Sequence, residues 1–453
     1  MLTPDIPPPL TRWLAERAAL LRRDELPDDA VTVARHCILD WFAVTLPGAM
    51  EPTVQILTKT LAEEGGSPVA TLVGLGSKAA LLHAALINGT ASHALDFDDV
   101  NMAILGHPTV AILPGLLALA EQRGASQDEV ITAFVAGYDV ACRVGSFMSP
   151  GHYDHGFHCT STVGSIGAAA ACGRLIGLDS ETMAMALGVA ATQASGLKSM
   201  FGTMCKPLHA GMAARNGLLA ARLAAAGFTS RPDALECAQG FARTQSVDFD
   251  TDAAMHNTAI DFHIRNNLFK YHAACYLTHG AIEAARKLRI ASKASSNAIS
   301  AIELKVSPVT DKVCNLPAPQ TGLEAKFSLR LTVAMALAGR ETSAIESYTD
   351  ALTHDPDLVR LRDMVQIAFV EGQTEAWAAV TVSTAGGETF EASHDAGAPD
   401  PDLDQQGEKL AAKFRALVSP LLAEDTGRLE AALVHFGGAR DLSEITALAG
   451  GHP

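Results

Sequence analysis

Apolar residues recur at helical spacing from Pro8 to about Gly227, and then the rhythm changes. Leu10, Trp13, Leu14 and Leu20 mark one side of a first helix that Thr11 can cap. Val31, Ala34, Ile38 and Trp41 mark a second, opened by Asp28 or Asp29 and closed near Pro47 and Gly48. Ser126-Gln-Asp-Glu129 is a capping box in front of VITAFVAGYDVACRV. The stretch Ser161–Leu178 is rich in small residues, which let helices approach closely, and Asp179 or Ser180 caps a further helix through Leu187. Several of these segments are apolar on most sides, as the central helices of a bundle are.

Beyond about Lys270 alternation takes over. Ala301–Val306 and Met364–Val370 alternate as strands do, and Trp377–Thr384, a turn at Ala385-Gly-Gly387 and Glu388–Ser393 read as a hairpin. Between them Ala325–Ala338 and Ser343–Ala351 have a helical pattern. Pro399–Gln406 is a polar linker, and the tail from Gly407 is helical again, so it is expected to return to the large domain. The pattern predicts a mainly α protein. Residues 1–268 and 404–453 form a large all-helical domain, and residues 269–403 form a smaller α+β domain.

Composition narrows the picture. The chain has 453 residues, 48% of them hydrophobic but only 5% aromatic, which suits close-packed helices rich in Ala and Leu. A net charge of −16 argues against a general nucleic-acid role, because phosphate binding needs a basic face. The same charge repels an anionic substrate, so such a ligand requires a local cationic cluster. The opening MLTPDIPPPL has no basic or apolar leader pattern, and no run of about 18 uncharged apolar residues suggests a membrane span. The eight cysteines lack any CxxC spacing, so free thiols are expected. The expectation is a soluble, cytoplasmic protein.

Candidate chemistry lies in five segments. FGTMCKPLHA puts Cys205, Lys206 and His209 within five positions, around Pro207. Lysine is scarce here: only Lys198, Lys206 and Lys270 occur between Lys78 and Lys287. Pro suits a first helical turn, and a helix expected from about His209 would turn its positive end toward Lys206. That place suits an anionic group, although a capped helix with a solvated lysine fits equally. A second segment, Ser92-His-Ala-Leu-Asp-Phe-Asp-Asp99, precedes His107-Pro108. Its three carboxylates repel one another, so solvent, a metal or cations must offset them. It lacks the spacing of a calcium loop.

The third segment, His152-Tyr-Asp-His-Gly-Phe-His158, precedes Thr160-Ser161-Thr162. It is open to three readings: a single acid/base histidine, structural histidines, or a transition-metal site. The fourth joins Lys270-Tyr-His272 to Cys275 and His279, and the fifth is Asp311–Thr321 with Cys314 and Asn315. Isolated lysines, loop histidines and an acidic loop together suit polycarboxylate chemistry. Lysine pairs with carboxylates and stabilises charge that develops on loss of a proton from carbon, and histidine carries the proton near neutral pH. Dinucleotide, P-loop and serine-hydrolase motifs are absent.

The ordered motifs DFDD…HP, GFHxTSTVGSIGAAAA, GTMCKPLHAGMAARNG, LFKYHAACYLTH and CNLPxPxTGLEAKFS resemble the MmgE/PrpD family over nearly the whole chain. That family includes 2-methylcitrate dehydratase, cis-aconitate decarboxylase and iminodisuccinate epimerase. The resemblance implies an all-helical domain made from the N-terminal part and the C-terminal tail, with a smaller α+β lid inserted. It also implies a homodimer with a metal-free active site between the two domains. Motif by motif, it points to Asp96, His107, His158, Lys206 and Lys270 as catalytic. His209, Cys275 and His279 lie in the same motifs as substrate-binding candidates, and Cys314 lies in a lid loop expected to close over substrate. Val100 stands where dehydratase and decarboxylase members tend to carry a hydroxyl residue, and Cys314 where the decarboxylase has a lid tyrosine.

The expectation is therefore a lyase without cofactor or metal that removes water from a small hydroxy-polycarboxylate. Lys206 and Lys270 would clamp carboxylates, His158 would be the base and His107 the acid, with Asp96 orienting His107 or holding it protonated. Epimerisation or decarboxylation of the same substrate class, or ligand binding by a dimer without catalysis, are the alternatives. Neither nucleic acid nor membrane is an expected partner.

Overall fold

Local signals start several of the helices. Ser126 accepts a hydrogen bond from the Glu129 backbone N–H while Glu129 reaches back to Ser126, and the helix Gln127–Met148 follows. Asp179 likewise caps Ser180–Gln193 through Thr182. The first helix, Leu10–Leu20, begins after Pro9, and Thr11 lies inside it with its hydroxyl on the Glu236 carboxylate. The computed structural model describes residues 9–255, 262–292 and 295–451. The leader reading of residues 1–10 therefore lies almost wholly outside the described residues.

The chain divides into two compact units, Met1–Phe269 with Asp402–Pro453, and Lys270–Pro401. The larger is built on the helices Asp28–Gly48, Leu81–His93, Pro108–Arg123, Gln127–Met148, Cys159–Ile176 and Cys205–Ala225. It also carries a short antiparallel hairpin, Ala70–Leu72 with Ser77–Ala79. Glycine explains how closely its helices cross. A Cβ on Gly211 would lie 2.2 Å from the Leu86 carbonyl oxygen, and one on Gly89 would lie 2.7 Å from the Gly211 Cα. Leu81–His93 and Cys205–Ala225 thus meet backbone to backbone, a density that only missing side chains permit.

Gln127–Met148 is long and apolar enough by length and composition to cross a membrane, although it carries Asp139 and Arg143 and so is not an uncharged run. Its most apolar stretch is 94% buried within the fold, where it is a core helix whose Asp139 and Arg143 pair with each other at 2.8 Å. The helix Leu403–Leu422 packs on Asp28–Gly48 and starts inside the polar stretch, where Asp402 caps it through Gln405.

The smaller unit holds a four-stranded sheet in the order Val365–Phe369, Ile299–Val306, Trp377–Thr384, Thr389–Asp395. The first pair is parallel and the others are antiparallel. The helix expected over Ala325–Ala338 is two helices, Gly322–Ala325 and Leu329–Leu337. Ser328 breaks it: its hydroxyl accepts from Leu331 N–H as a cap and donates to the Leu316 carbonyl. The helix expected over Ser343–Ala351 is a single turn at Ile345–Ser347 followed by Asp350–Thr353, because Thr349 caps through Leu352 and restarts the chain. All eight cysteines are free thiols.

Candidate functional site

Three helix beginnings and one helix end converge in the larger unit. His158 immediately precedes Cys159–Ile176, and its backbone N–H donates to the Gly196 carbonyl at 3.0 Å. His107 precedes Pro108–Arg123, and its N–H donates to the Thr160 hydroxyl at 3.1 Å. Lys206 lies in the first turn of Cys205–Ala225, with His209 one turn on. This helix starts four residues earlier than expected. Pro207 sits at its third position at no cost, since the first N–H groups of a helix have no partner within it. His93 ends the helix Leu81–His93. Helix beginnings carry partial positive charge and free N–H groups, which favour anions.

The three carboxylates of the acidic loop are offset in three different ways. Asp96, at φ 51° in the left-handed region, places Oδ1 2.7 Å from Lys206 Nζ and 4.0 Å from His107 Nε2. Asp98 is buried and accepts from His93 Nδ1 at 2.9 Å, with His107 Nδ1 at 3.0 Å. Burial pulls Asp98 upward, but the two imidazoles outweigh it and hold the carboxyl well below its usual range. Asp99 is buried with the Thr109 hydroxyl on Oδ2, while Oδ1 has no partner among the described residues. Burial, reinforced by Asp40 and Asp98, pushes it up to about 8, so it holds a proton at neutral pH. Its backbone carbonyl accepts from His107 Nδ1 at 2.7 Å.

Asp98, rather than Asp96, is thus the carboxylate that orients His107. It fixes two rings at once, and each keeps its Nδ1 hydrogen on the loop and leaves Nε2 for other work. Sequence reasoning passed over both His93 and Asp98, although the segment SHALDFDD contains them.

The imidazoles form a cluster. The His93 ring lies 4.7 Å from that of His107 and 5.9 Å from that of His158, which lies 5.3 Å from that of His209. Burial drives His93 down to about 4 against the pull of Asp98, and its Nε2 is buried without a partner among the described residues. Burial first, and then His93 and Lys206, push His158 far below its ordinary value, and burial lowers His209. These three rings are therefore uncharged at neutral pH. His158 Nδ1 and His209 Nδ1 are 3.1 Å apart, so a single hydrogen lies between them. With that hydrogen on His158, its Nε2 carries a lone pair and is a base.

The remaining candidates are His152 in the larger unit and four residues of the smaller one. His152 spends Nδ1 on the Gln245 carbonyl at 2.8 Å and Nε2 on Thr162 at 2.7 Å, so the three-histidine metal reading fails. Lys270, Cys275, His279 and Cys314 belong to the smaller unit. There Lys270 is buried, and His279 packs its ring 5.0 Å from that of His272. The Cys275 and Cys314 thiols are hydrogen-bonded, which with burial drives Cys314 upward and keeps it a thiol. Among the described residues, His93, Asp96, Asp98 and His107 offer ligand atoms within 4.8 Å of one another, a set that could hold a metal ion. Asp98 and both Nδ1 atoms are already engaged with each other, however, and the Lys206 ammonium already sits on Asp96.

Residues 12–254 match the MmgE/PrpD N-terminal domain and residues 272–435 the MmgE/PrpD C-terminal domain. The chain is 30% identical over 386 residues to a cis-aconitate decarboxylase of Homo sapiens, an alignment covering 81% of this chain and 78% of that protein. It is 27% identical over 354 residues to a cis-aconitate decarboxylase of Aspergillus terreus, covering 73% and 72%. A cis-aconitate decarboxylase of Mus musculus is 28% identical over 386 residues, covering 81% and 77%. With both domains matched in order along one chain, this protein belongs to the MmgE/PrpD family.

Proposed function

We propose that this protein is a lyase acting on a small polycarboxylate, and that its reaction is removal of water from a hydroxy-polycarboxylate without cofactor or metal. One observation carries the reading: two histidines held uncharged by burial, His93 and His158, lie within the field of the Lys206 ammonium, with His209 on His158. Uncharged imidazoles accept protons, and the ammonium stabilises the negative charge left when a proton leaves the carbon next to a carboxylate. His158 takes that proton at Nε2, with His209 holding its ring through Nδ1. His107, fixed by Asp98, gives a proton from Nε2 to the departing hydroxyl, which leaves as water while the new double bond forms. Asp96 neutralises Lys206 until a substrate carboxylate displaces it. Lys270 and the substrate-binding candidates Cys275, His279 and Cys314 belong to the same proposal, as do a homodimer and a cytoplasmic location.

The relatives favour a second reading, decarboxylation of an unsaturated tricarboxylate, in which carbon must gain a proton after carbon dioxide leaves. Histidines held uncharged suit proton removal better than proton delivery, which supports the first reading. The test is steady-state assay of citrate-like hydroxy acids with wild type and Lys206→Ala, following alkene formation and carbon dioxide together. Alkene formation without carbon dioxide, lost in the variant, is expected. Full activity in Lys206→Ala contradicts the role of the lysine, and release of carbon dioxide moves the assignment to decarboxylation.

A further inference from the structure

We infer that Lys413, on the helix Leu403–Leu422, is a positioning residue that holds the acidic loop in its working shape through the Phe97 carbonyl. This rests on the reading of that loop as part of the catalytic site. The Lys413 ammonium, with 2% of its side chain exposed, lies 2.6 Å from Asp40 Oδ1 and 2.6 Å from the Phe97 carbonyl oxygen. The Phe97 ring lies beneath it, its centroid 4.0 Å from Nζ. Phe97 separates Asp96, the partner of Lys206, from Asp98, the partner of His93 and His107. The peptide whose oxygen Lys413 grips is therefore the one that leads into Asp98.

Stability alone does not account for such a lysine. Desolvating two charges costs as much as or more than their attraction returns, and an apolar pair of similar volume often serves as well or better. What an apolar pair cannot supply is a donor for the Phe97 carbonyl. That donor has a task here, because the loop is under tension. Asp96 is held at φ 51°, a conformation that costs a non-glycine residue energy unless its surroundings impose it. The loop has a second anchor on its far side, where Val100 and Leu268 exchange backbone hydrogen bonds of 2.7 and 2.8 Å. Lys413 grips the near side, three residues earlier. The titratable groups that act on one another here are Asp40 and Cys37 from the helix Asp28–Gly48 and Asp98 and Asp99 from the loop, with His93 and His107 on Asp98.

The test is the double variant Asp40→Leu/Lys413→Met, which removes both charges and the donor while keeping bulk. Melting temperature, kcat, KM and the ring titrations of His93 and His107, read by NMR on histidine-labelled protein, are measured together. The expected result is a melting temperature near wild type, kcat lower by roughly 10²-fold with KM changed far less, and His93 titrating closer to 6.5 than in wild type. A folded variant with wild-type kcat and unchanged ring titrations overturns the inference. If that pair does not fold, Asp40→Val/Lys413→Leu, a smaller apolar pair that likewise lacks the donor, is judged by the same readings. If wild type turns over no polycarboxylate, the functional reading fails, and the ring titrations still decide the role of Lys413.

Discussion

Lys206 Nζ and Asp96 Oδ1 lie 2.7 Å apart, and about half of the Asp96 side chain remains exposed. Such a pair contributes little to stability, because water screens it. Its meaning is chemical: the carboxylate on the lysine is one that a substrate carboxylate can displace. Lys206→Ala is expected to lower kcat/KM by roughly 10²–10³-fold with little change in melting temperature. Asp96→Asn keeps a residue that tolerates positive φ, so it should fold, and it should lower KM by freeing the ammonium. A raised KM in Asp96→Asn would show that Asp96 binds substrate rather than competing with it.

The pH profile follows from the uncharged rings. A base must be free of its proton, and burial holds His158 and His209 below their ordinary value of 6.5. The acidic limb of kcat/KM is therefore expected below pH 6.5 rather than at it. Stability moves in the same direction. His93 titrates at about 4 when folded and at about 6.5 when unfolded, so its contribution is complete above pH 6.5 and is lost as pH falls toward 4. A kcat/KM limb at or above the ordinary histidine value would remove these rings from the role of base.

Asp99 makes the opposite contribution. Its folded value of about 8 lies above the ordinary 3.8, so the stability it contributes is complete below 3.8 and is lost as pH rises through 8. Asp99→Asn cannot ionise. Its unfolding free energy, measured by denaturant against wild type, should therefore gain on wild type steadily from pH 5 to pH 8. A difference that does not change with pH would mean that Asp99 is ionised in the folded protein.

Chelation separates the ammonium from a metal as the cation of the site. Prolonged treatment with EDTA, followed by elemental analysis, should leave turnover unchanged. Loss of turnover, restored by a divalent ion and abolished in Asp98→Ala, would instead assign the cation to the cluster of His93, Asp96, Asp98 and His107.

The sequence made legible whatever local pattern controls. The Ser126 capping box, the hairpin strand Trp377–Thr384 and the unusual lysine at 206 all announce themselves within a few residues. Long-range contacts left no such mark. That Asp98 and not Asp96 orients His107 depends on a left-handed turn at Asp96, which no spacing rule forecasts. Nothing in the spacing around His93 tells that its ring lies 4.7 Å from that of His107 and 5.9 Å from that of His158. Lys413 lies 316 positions beyond Phe97, and nothing near it in the chain distinguishes it from a surface lysine. At Ser328 a side-chain hydrogen bond to the backbone overrode a good helical pattern, the usual way in which local competition defeats periodicity.

The central claim is that uncharged histidines beside Lys206 remove a proton from carbon so that water can leave. Proton and carbon-13 NMR of citrate-like hydroxy acids incubated with the enzyme tests it most directly, with cis-aconitate as the comparison. The account predicts that the hydroxy acid is converted to its alkene with all carboxyl carbons retained. Inert hydroxy acids together with loss of carbon dioxide from cis-aconitate would contradict it.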